Sequence, residues 1–436
     1  MLNAWHFPAF FLFLYFWFRH YHEKIRIPLP VDWWSISIVG LVTILAISTL
    51  LSPHGANWGY YLSFLFYFMF AQYVRYSYGT VITFRTILIF GVVAIFVQSS
   101  ISIIQQLTLS QFGSITALIG ENQEMMLKQL GSELNMGVGR IGGTLGFSNA
   151  VGNWIVVFFP FLLAYPRFAG NTSFSWIMQK TGIVLGIICL ILTFSVGNLG
   201  IFFIVNGLFL MVYLRFVPRG RKPARRTILR LAILSLLFIV LLIAVIVNPE
   251  TNETISKGLE YRISMKSADT MSVASGAFRL EMMITSWKYF KTNPFLGIGV
   301  YNSRLIYDLV ETNIPDWWNI APHNLYCMFA VDAGILGFLF YSILTIYPMV
   351  ALFWVGLRRR DDISLVLGCA LFAVFLFGQI YLTPILAQFG VLYMLMLGIA
   401  MGHLDYLRRR KKFRTDLPLR MEYSQNPEPC TKDEFH

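Results

Sequence analysis

Five stretches of the chain run without a single Asp, Glu, Lys or Arg: Trp33 to Leu51, Ile87 to Leu109, Ile335 to Leu357, Ile363 to Tyr381 and Ile385 to Leu404. Each approaches or exceeds the roughly 20 apolar residues that carry a helix across a bilayer. Lipid offers no partner to an unpaired backbone amide or carbonyl, so such stretches must be helices. Thr181 to Leu214 is equally free of charge but about twice the length of one span, and the pattern predicts a division at Ser195-Val196-Gly197-Asn198. The opening MLNAWHFPAFFLFLYFWF lacks the basic n-region and small-residue cleavage site of a secretory signal and is expected to be a retained, short first span.

Composition agrees with the pattern. Of 436 residues 56% are hydrophobic and 13% charged, with a mean hydropathy of +0.62, outside the range of water-soluble domains. The formal charge of +12 is not the mark of a nucleic-acid binder, because it sits in short connections between apolar runs: near Arg19, at Arg75 and Arg85, from Arg215 to Arg230, from Arg358 and from Arg408. The intervening connections are neutral or faintly acidic. By the positive-inside rule the basic connections are cytoplasmic, and the alternation holds for roughly eleven or twelve helices with the N-terminus outside and the C-terminus inside.

The expected fold is therefore an all-α polytopic membrane bundle over residues 1–407, with external segments at 108–146 and 248–322 and a cytoplasmic tail at 408–436. The 248–322 segment is the longest polar one, and long loops of that kind usually carry function. No internal repeat is evident. The four cysteines form no CxxC and have no ligand spacing.

Within the long external segment, Leu280, Met283, Ile284, Trp287 and Phe290 recur at helical spacing, predicting an amphipathic helix along the membrane surface or against the bundle, with Arg279 at the edge of its apolar stripe. Asn293-Pro294 should end it. Gly297-Ile298-Gly299 should form a turn that approaches another backbone closely. Downstream, Pro322-His323-Asn324 opens the next apolar helix, with Pro322 placed to sit in its first turn. The partial positive charge of that helix end disfavours imidazolium, so His323 is expected to be neutral and able to accept a proton. Asp332 lies within the apolar run, where an acid is a functional candidate by default. Pairing within the bundle, beside a Gly334 to Gly337 turn that lets the chain re-enter the bundle, is the reading preferred for it.

Read together, GRIGGTLGFSNAVGNW (Gly139 to Trp154), the Arg279 to Trp287 helix, NPFLGIG and PHNLYCMFAVDAGILG resemble the O-antigen ligase and polymerase family, over roughly residues 140–340. That resemblance implies transfer of a glycan from an undecaprenyl diphosphate carrier to an acceptor sugar hydroxyl, on a repeat unit or a lipid A core, outside the bacterial inner membrane and without a metal or other cofactor. It implies His323 as catalytic base and Arg279 and Arg262 at the diphosphate, with Asn324, Trp287 and Tyr326 in support. The family usually has a Ser-Arg-Gly at the end of a middle helix. Here the corresponding residues are Ser195-Val196-Gly197, and Arg140 is the candidate substitute for the missing arginine.

The chemistry is coherent on its own terms. Arginine pairs bidentately with phosphate oxygens and never loses its charge. The external segments contain no DxD and no clustered His or Cys of zinc spacing, so the arginines would have to carry the phosphate charge. The plainer readings are a structural hydrogen bond for His323 and solvated or headgroup-bound arginines. A transporter or flippase for a lipid-linked sugar is the rival; it would favour inverted repeats and broken helices near the midplane, which the sequence does not display.

Overall fold

A computed structural model describes residues 32–108, 148–170, 172–193, 195–216, 276–310, 321–380 and 387–416. Among these, the regular structure is helical throughout, without a strand. The long helices are α1 (Trp33–Leu50), α2 (Trp58–Ser77), α3 (Phe84–Thr108), α4 (Ser148–Ala169), α5 (Ser173–Leu192), α6 (Val196–Phe216), α7 (Gly276–Thr292), α8 (Leu325–Arg359), α9 (Asp362–Ile380) and α10 (Ala387–Asp416). Seven of the ten, α1, α3, α4, α5, α8, α9 and α10, contain a stretch long and apolar enough to cross a membrane. The expected first span lies outside the described residues, as do Arg262, Arg140 and most of the 108–146 segment.

Local chemistry sets the helix boundaries. Asp32 caps α1 by accepting the Ser35 amide, and Thr172 forms a capping box with Ser175 at the start of α5. The long uncharged run divides where the pattern placed it: α5 ends at Leu192, and α6 begins at Val196, with the Ser195 hydroxyl accepting the Asn198 amide.

Helix α9 is the hub, packing against α8, α10, α4 and α6. On one side α8 lies on α1 and α10 lies on α2; on the other α3, α4 and α5 pack together. The α2–α10 contact is close because Gly398 and Gly402 leave room: a β-carbon at either would lie under 3 Å from a carbonyl of α2, Ala71 or Arg75. In lipid, where apolar surface gains little by leaving one apolar medium for another, such small-residue contacts are what hold helices together.

The two ends of the bundle differ in chemistry. At one end Arg75, fully buried, pairs with Asp32 and with Asp405 (Nε to Oδ2, 2.7 Å), joining α2 to α1 and α10. Burial alone would raise the Asp32 carboxyl; hydrogen bonding to Arg75 outweighs it and holds the group below its ordinary value. Nearby, Asp361 bonds His403 at 2.9 Å, His403 meets the Tyr78 hydroxyl, and Arg167 pairs with Asp362. Arg85 and Arg358 to Arg360 belong to this same end by chain connection. The basic residues that alternate along the described sequence are thus gathered in space. The opposite end carries α7 and His323.

Candidate functional site

The organising feature of that opposite end is a break in α8. Gly334 has φ +67° and ψ −162°, outside any helical conformation. An unbroken helix would hold residues 326 and 345 about 28 Å apart. Instead the Tyr326 hydroxyl is 2.8 Å from the Thr345 hydroxyl, and the Phe329 ring stacks on Tyr341 with centroids 4.1 Å apart. The chain therefore doubles back at Gly334, giving a short arm (325–333) packed along a long arm (335–359).

A break of this kind disturbs helical hydrogen bonds, and buried backbone groups must find other partners. The loop after α7 supplies them. The Ile298 amide donates to the Val331 carbonyl (3.0 Å), the Gly299 amide to the Asp332 carbonyl (3.0 Å), and the Ile335 amide turns to the Pro294 carbonyl (2.8 Å). This is the close approach that Gly-Ile-Gly promised. Gly297 has φ +69°, and a β-carbon on it would sit 2.4 Å from the Val331 carbonyl oxygen.

Asp332 completes the clamp. Its two carboxylate oxygens accept the Tyr301 and Ser303 amides, each at 2.8 Å, at the start of a 3-10 turn spanning Asn302–Leu305. The carboxylate is buried and engaged by backbone donors of the loop after α7, where pairing within the bundle was expected. Ser48 donates to the Asp332 carbonyl, and Asn302 bonds Ser52 and the Gly55 carbonyl, tying the cap to the α1–α2 connection.

At the foot of the short arm stands His323. The helix begins at Leu325, so Pro322 precedes it and does not occupy its first turn; Asn324 is the cap, its side-chain oxygen accepting the Tyr326 (2.9 Å) and Cys327 (3.0 Å) amides. The Asn324 amide nitrogen in turn reaches Gln379 Oε1 at 3.1 Å, near the end of α9. Because the short arm rises from this point to the Gly334 tip, half-buried His323 is recessed between helices and does not lie at the outermost boundary where the sequence placed it. Gln379 is part of this arrangement and carries no sequence signal, being an ordinary polar residue at a helix end.

The cap helix α7 packs against α8 through Met282, Thr285, Ser286 and Tyr289, which are buried with Ile298, Ile306, Tyr307 and Val331 nearby. The apolar stripe read from the sequence is not the packed face. Ile284 and Trp287 point outward, Trp287 being 56% exposed, stacked on Phe290 and covered by the Lys291 ammonium. The backbone of Arg279 lies in the first turn of α7, three residues before Met282.

Two features were not anticipated. Arg304 lies over the ring of Tyr301 (5.7 Å), which stacks on Tyr60 (3.9 Å), and its buried Nε has no hydrogen-bond partner among the described residues. Burial pushes the Tyr301 phenol up, so it stays protonated. At the tops of α4 and α6, Asn198 bonds the Asn149 carbonyl (3.2 Å), while fully buried Asn153 has no partner for either end of its amide among the described residues. This is where Ser195-Val196-Gly197 stands, beside the helix that follows the Arg140 segment. No three His, Cys, Asp or Glu side chains among the described residues are grouped to hold a metal.

A helical bundle with seven membrane-length apolar helices among the described residues, carrying a broken helix, a docked cap and a half-buried histidine at one end, defines a multi-pass membrane protein. The model of the O-antigen ligase family matches residues 181–342, from within α5 to within the long arm of α8, so this part of the chain is similar to O-antigen ligases. The matched segment takes in the cap helix, His323-Asn324 and the Gly334 break, and it leaves out Arg140. No curated protein matches the chain. The match over this segment supports a membrane glycosyltransferase of the O-antigen ligase and polymerase type.

Proposed function

We propose that the protein moves a glycan from undecaprenyl diphosphate to a sugar hydroxyl on a glycan or lipid A core acceptor, without a metal ion. The acceptor hydroxyl gives its proton to His323 as its oxygen bonds to the anomeric carbon. The bond from that carbon to the diphosphate oxygen breaks, and its electron pair leaves with undecaprenyl diphosphate. Attack opposite the leaving group inverts the anomeric centre. Arg279, Arg262 and Arg140 stabilise the departing diphosphate, a contribution commonly worth about 3 kcal/mol or more for one well-aimed donor.

The observation that carries this reading is the placement of half-buried His323 at the foot of the short arm, beside the Asn324 to Gln379 contact, with the cap docked at the other end of that arm. Asn324, the residue after His323, caps the helix and ties it to α9, which fixes the backbone beside the imidazole. The end rich in basic residues is taken as cytoplasmic by the positive-inside rule, which puts His323 on the periplasmic side of a bacterial inner membrane.

The test is transfer by purified, reconstituted protein. His323→Ala should lower the rate by about 10² to 10⁴ while leaving thermal unfolding unchanged, and full activity in that variant would overturn the assignment. In cells lacking the wild-type gene, single repeats in place of long chains would identify a polymerase, and full-length polymer stranded on the carrier would identify a ligase.

A further inference from the structure

The apolar side chains that the cap turns outward have neighbours that say what covers them. Phe295 is 74% exposed, Trp287 56%, Leu296 43% and Ile284 41%. Exposed apolar groups clustered in this way mark an interaction surface. The Pro294 carbonyl accepts the Ile335 amide, and the Phe295 carbonyl lies against Gly334, so Phe295 sits directly at the top of the long arm of α8.

From that point down, the long arm exposes Leu336, Leu339, Ile346, Val350, Trp354 and Leu357, a continuous outward stripe at helical spacing on a segment apolar enough to cross a membrane. On the other side, Ser48 and Ser52 of the α1 end hold Gly299 and Ile298, beside exposed Leu50 and Leu51. The Phe295–Leu296 pair therefore continues the exposed apolar face of the long arm and of the α1 end.

Length fixes its depth. The long arm holds about 25 residues and rises about 37 Å from Arg359 to Gly334. The hydrocarbon core is about 30 Å thick, and about 40 to 45 Å with the headgroup regions. With Arg358 and Arg359 at one interface, Phe295 falls at the opposite one, the level where aromatic side chains are enriched. Lys291, held over the Trp287 ring, supplies a cation at the same face, as interfacial amphipathic helices do.

We infer that the outward face of the cap, Ile284, Trp287, Phe295 and Leu296, is inserted in the headgroup boundary of the leaflet on the His323 side. The cap is a membrane-supported roof, holding the loop that clamps Asp332 at headgroup height. This stands apart from the proposed reaction and does not depend on it.

The test uses full-length protein in liposomes carrying one nitroxide label at a time, on Phe295→Cys, Ile284→Cys and, as a water-exposed control on the same end, His54→Cys, each with Cys327→Ala and Cys430→Ser. Labels at 295 and 284 should collide several-fold more with dissolved oxygen, and several-fold less with an aqueous nickel chelate, than the label at 54. Nickel accessibility equal to that at 54 would overturn the inference. So would protection from both reagents at 295 and 284, which would mean that protein covers the face. Two independent sites guard against one variant failing to fold.

Discussion

Gly334 lies so tightly under Phe295 that a β-carbon on the glycine would stand 2.2 Å from the Phe295 carbonyl oxygen. One contact thus joins the turn of the re-entrant helix to the loop that closes over it. The cap and the break are a single structural device, and the placement of His323 depends on it.

Gly334→Ala is therefore expected to be severely destabilising. A side chain in that backbone region costs roughly 1 to 3 kcal/mol before any clash is counted. Thermal unfolding in detergent should shift several degrees downward. An unchanged transition would mean that the doubling back at Gly334 is wrong.

Asp332→Asn should be harmful although it removes only a charge. Two amides, from Tyr301 and Ser303, need two acceptor oxygens, and a carboxamide offers one. One buried donor left unsatisfied costs about 1 to 3 kcal/mol. Limited proteolysis should show faster cutting within residues 276–310, with the rest of the bundle intact.

Asn324→Ala removes both the helix cap and the tie to Gln379. Loss of the cap costs about 1 kcal/mol. If the residue positions His323, transfer should fall much further than that stability change explains, and Gln379→Ala should lower transfer too while leaving the cap bonds in place. A fall in stability with transfer preserved would confine Asn324 to capping.

For the arginines, Arg279→Lys is the informative change, because lysine keeps the charge but not the bidentate fork. On the proposed role it should lower transfer by about two orders of magnitude, with normal membrane insertion. Wild-type rates would remove Arg279 from the diphosphate site.

The pH dependence of stability should have an acid limb set at the basic end. Burial would raise the Asp361 carboxyl, but hydrogen bonds from His403 and Ser364 outweigh it and hold the group below its ordinary value. A depressed carboxylate contributes stability that is present above its unfolded value, about 3.9, and is lost as pH falls through the lower folded value. The midpoint of unfolding should drop below about pH 4, and Asp361→Asn should flatten that limb.

Much of this was legible in the sequence. Apolar runs gave α1, α3 and α9 nearly to their ends, because a bilayer tests length and charge and little else; α10 runs on past the apolar stretch, from Leu404 to Asp416, into the basic segment expected to be tail. The division of the run around Ser195 and the close approach of Gly297 to Gly299 were legible for a similar reason: serine and glycine in such places have few structural uses. The outward stripe of α7 was visible too, but the sequence could not say which face packed, since Thr285 and Ser286 bury as readily as the apolar residues beside them.

What only the tertiary structure decided was direction and depth. The sequence opens a helix at Pro322 and places a turn at Gly334 to Gly337 before the run Ile335 to Leu357, but it does not show that the segment before the turn packs back along the run after it. A single glycine, and carbonyls whose partners come from a loop some 35 residues earlier in the chain, turn it back on itself, so His323 is recessed and Asp332 is carried to the tip. Hydrophobic pattern records whether a segment prefers lipid. It does not record the long-range backbone hydrogen bonds that make a reversal affordable there.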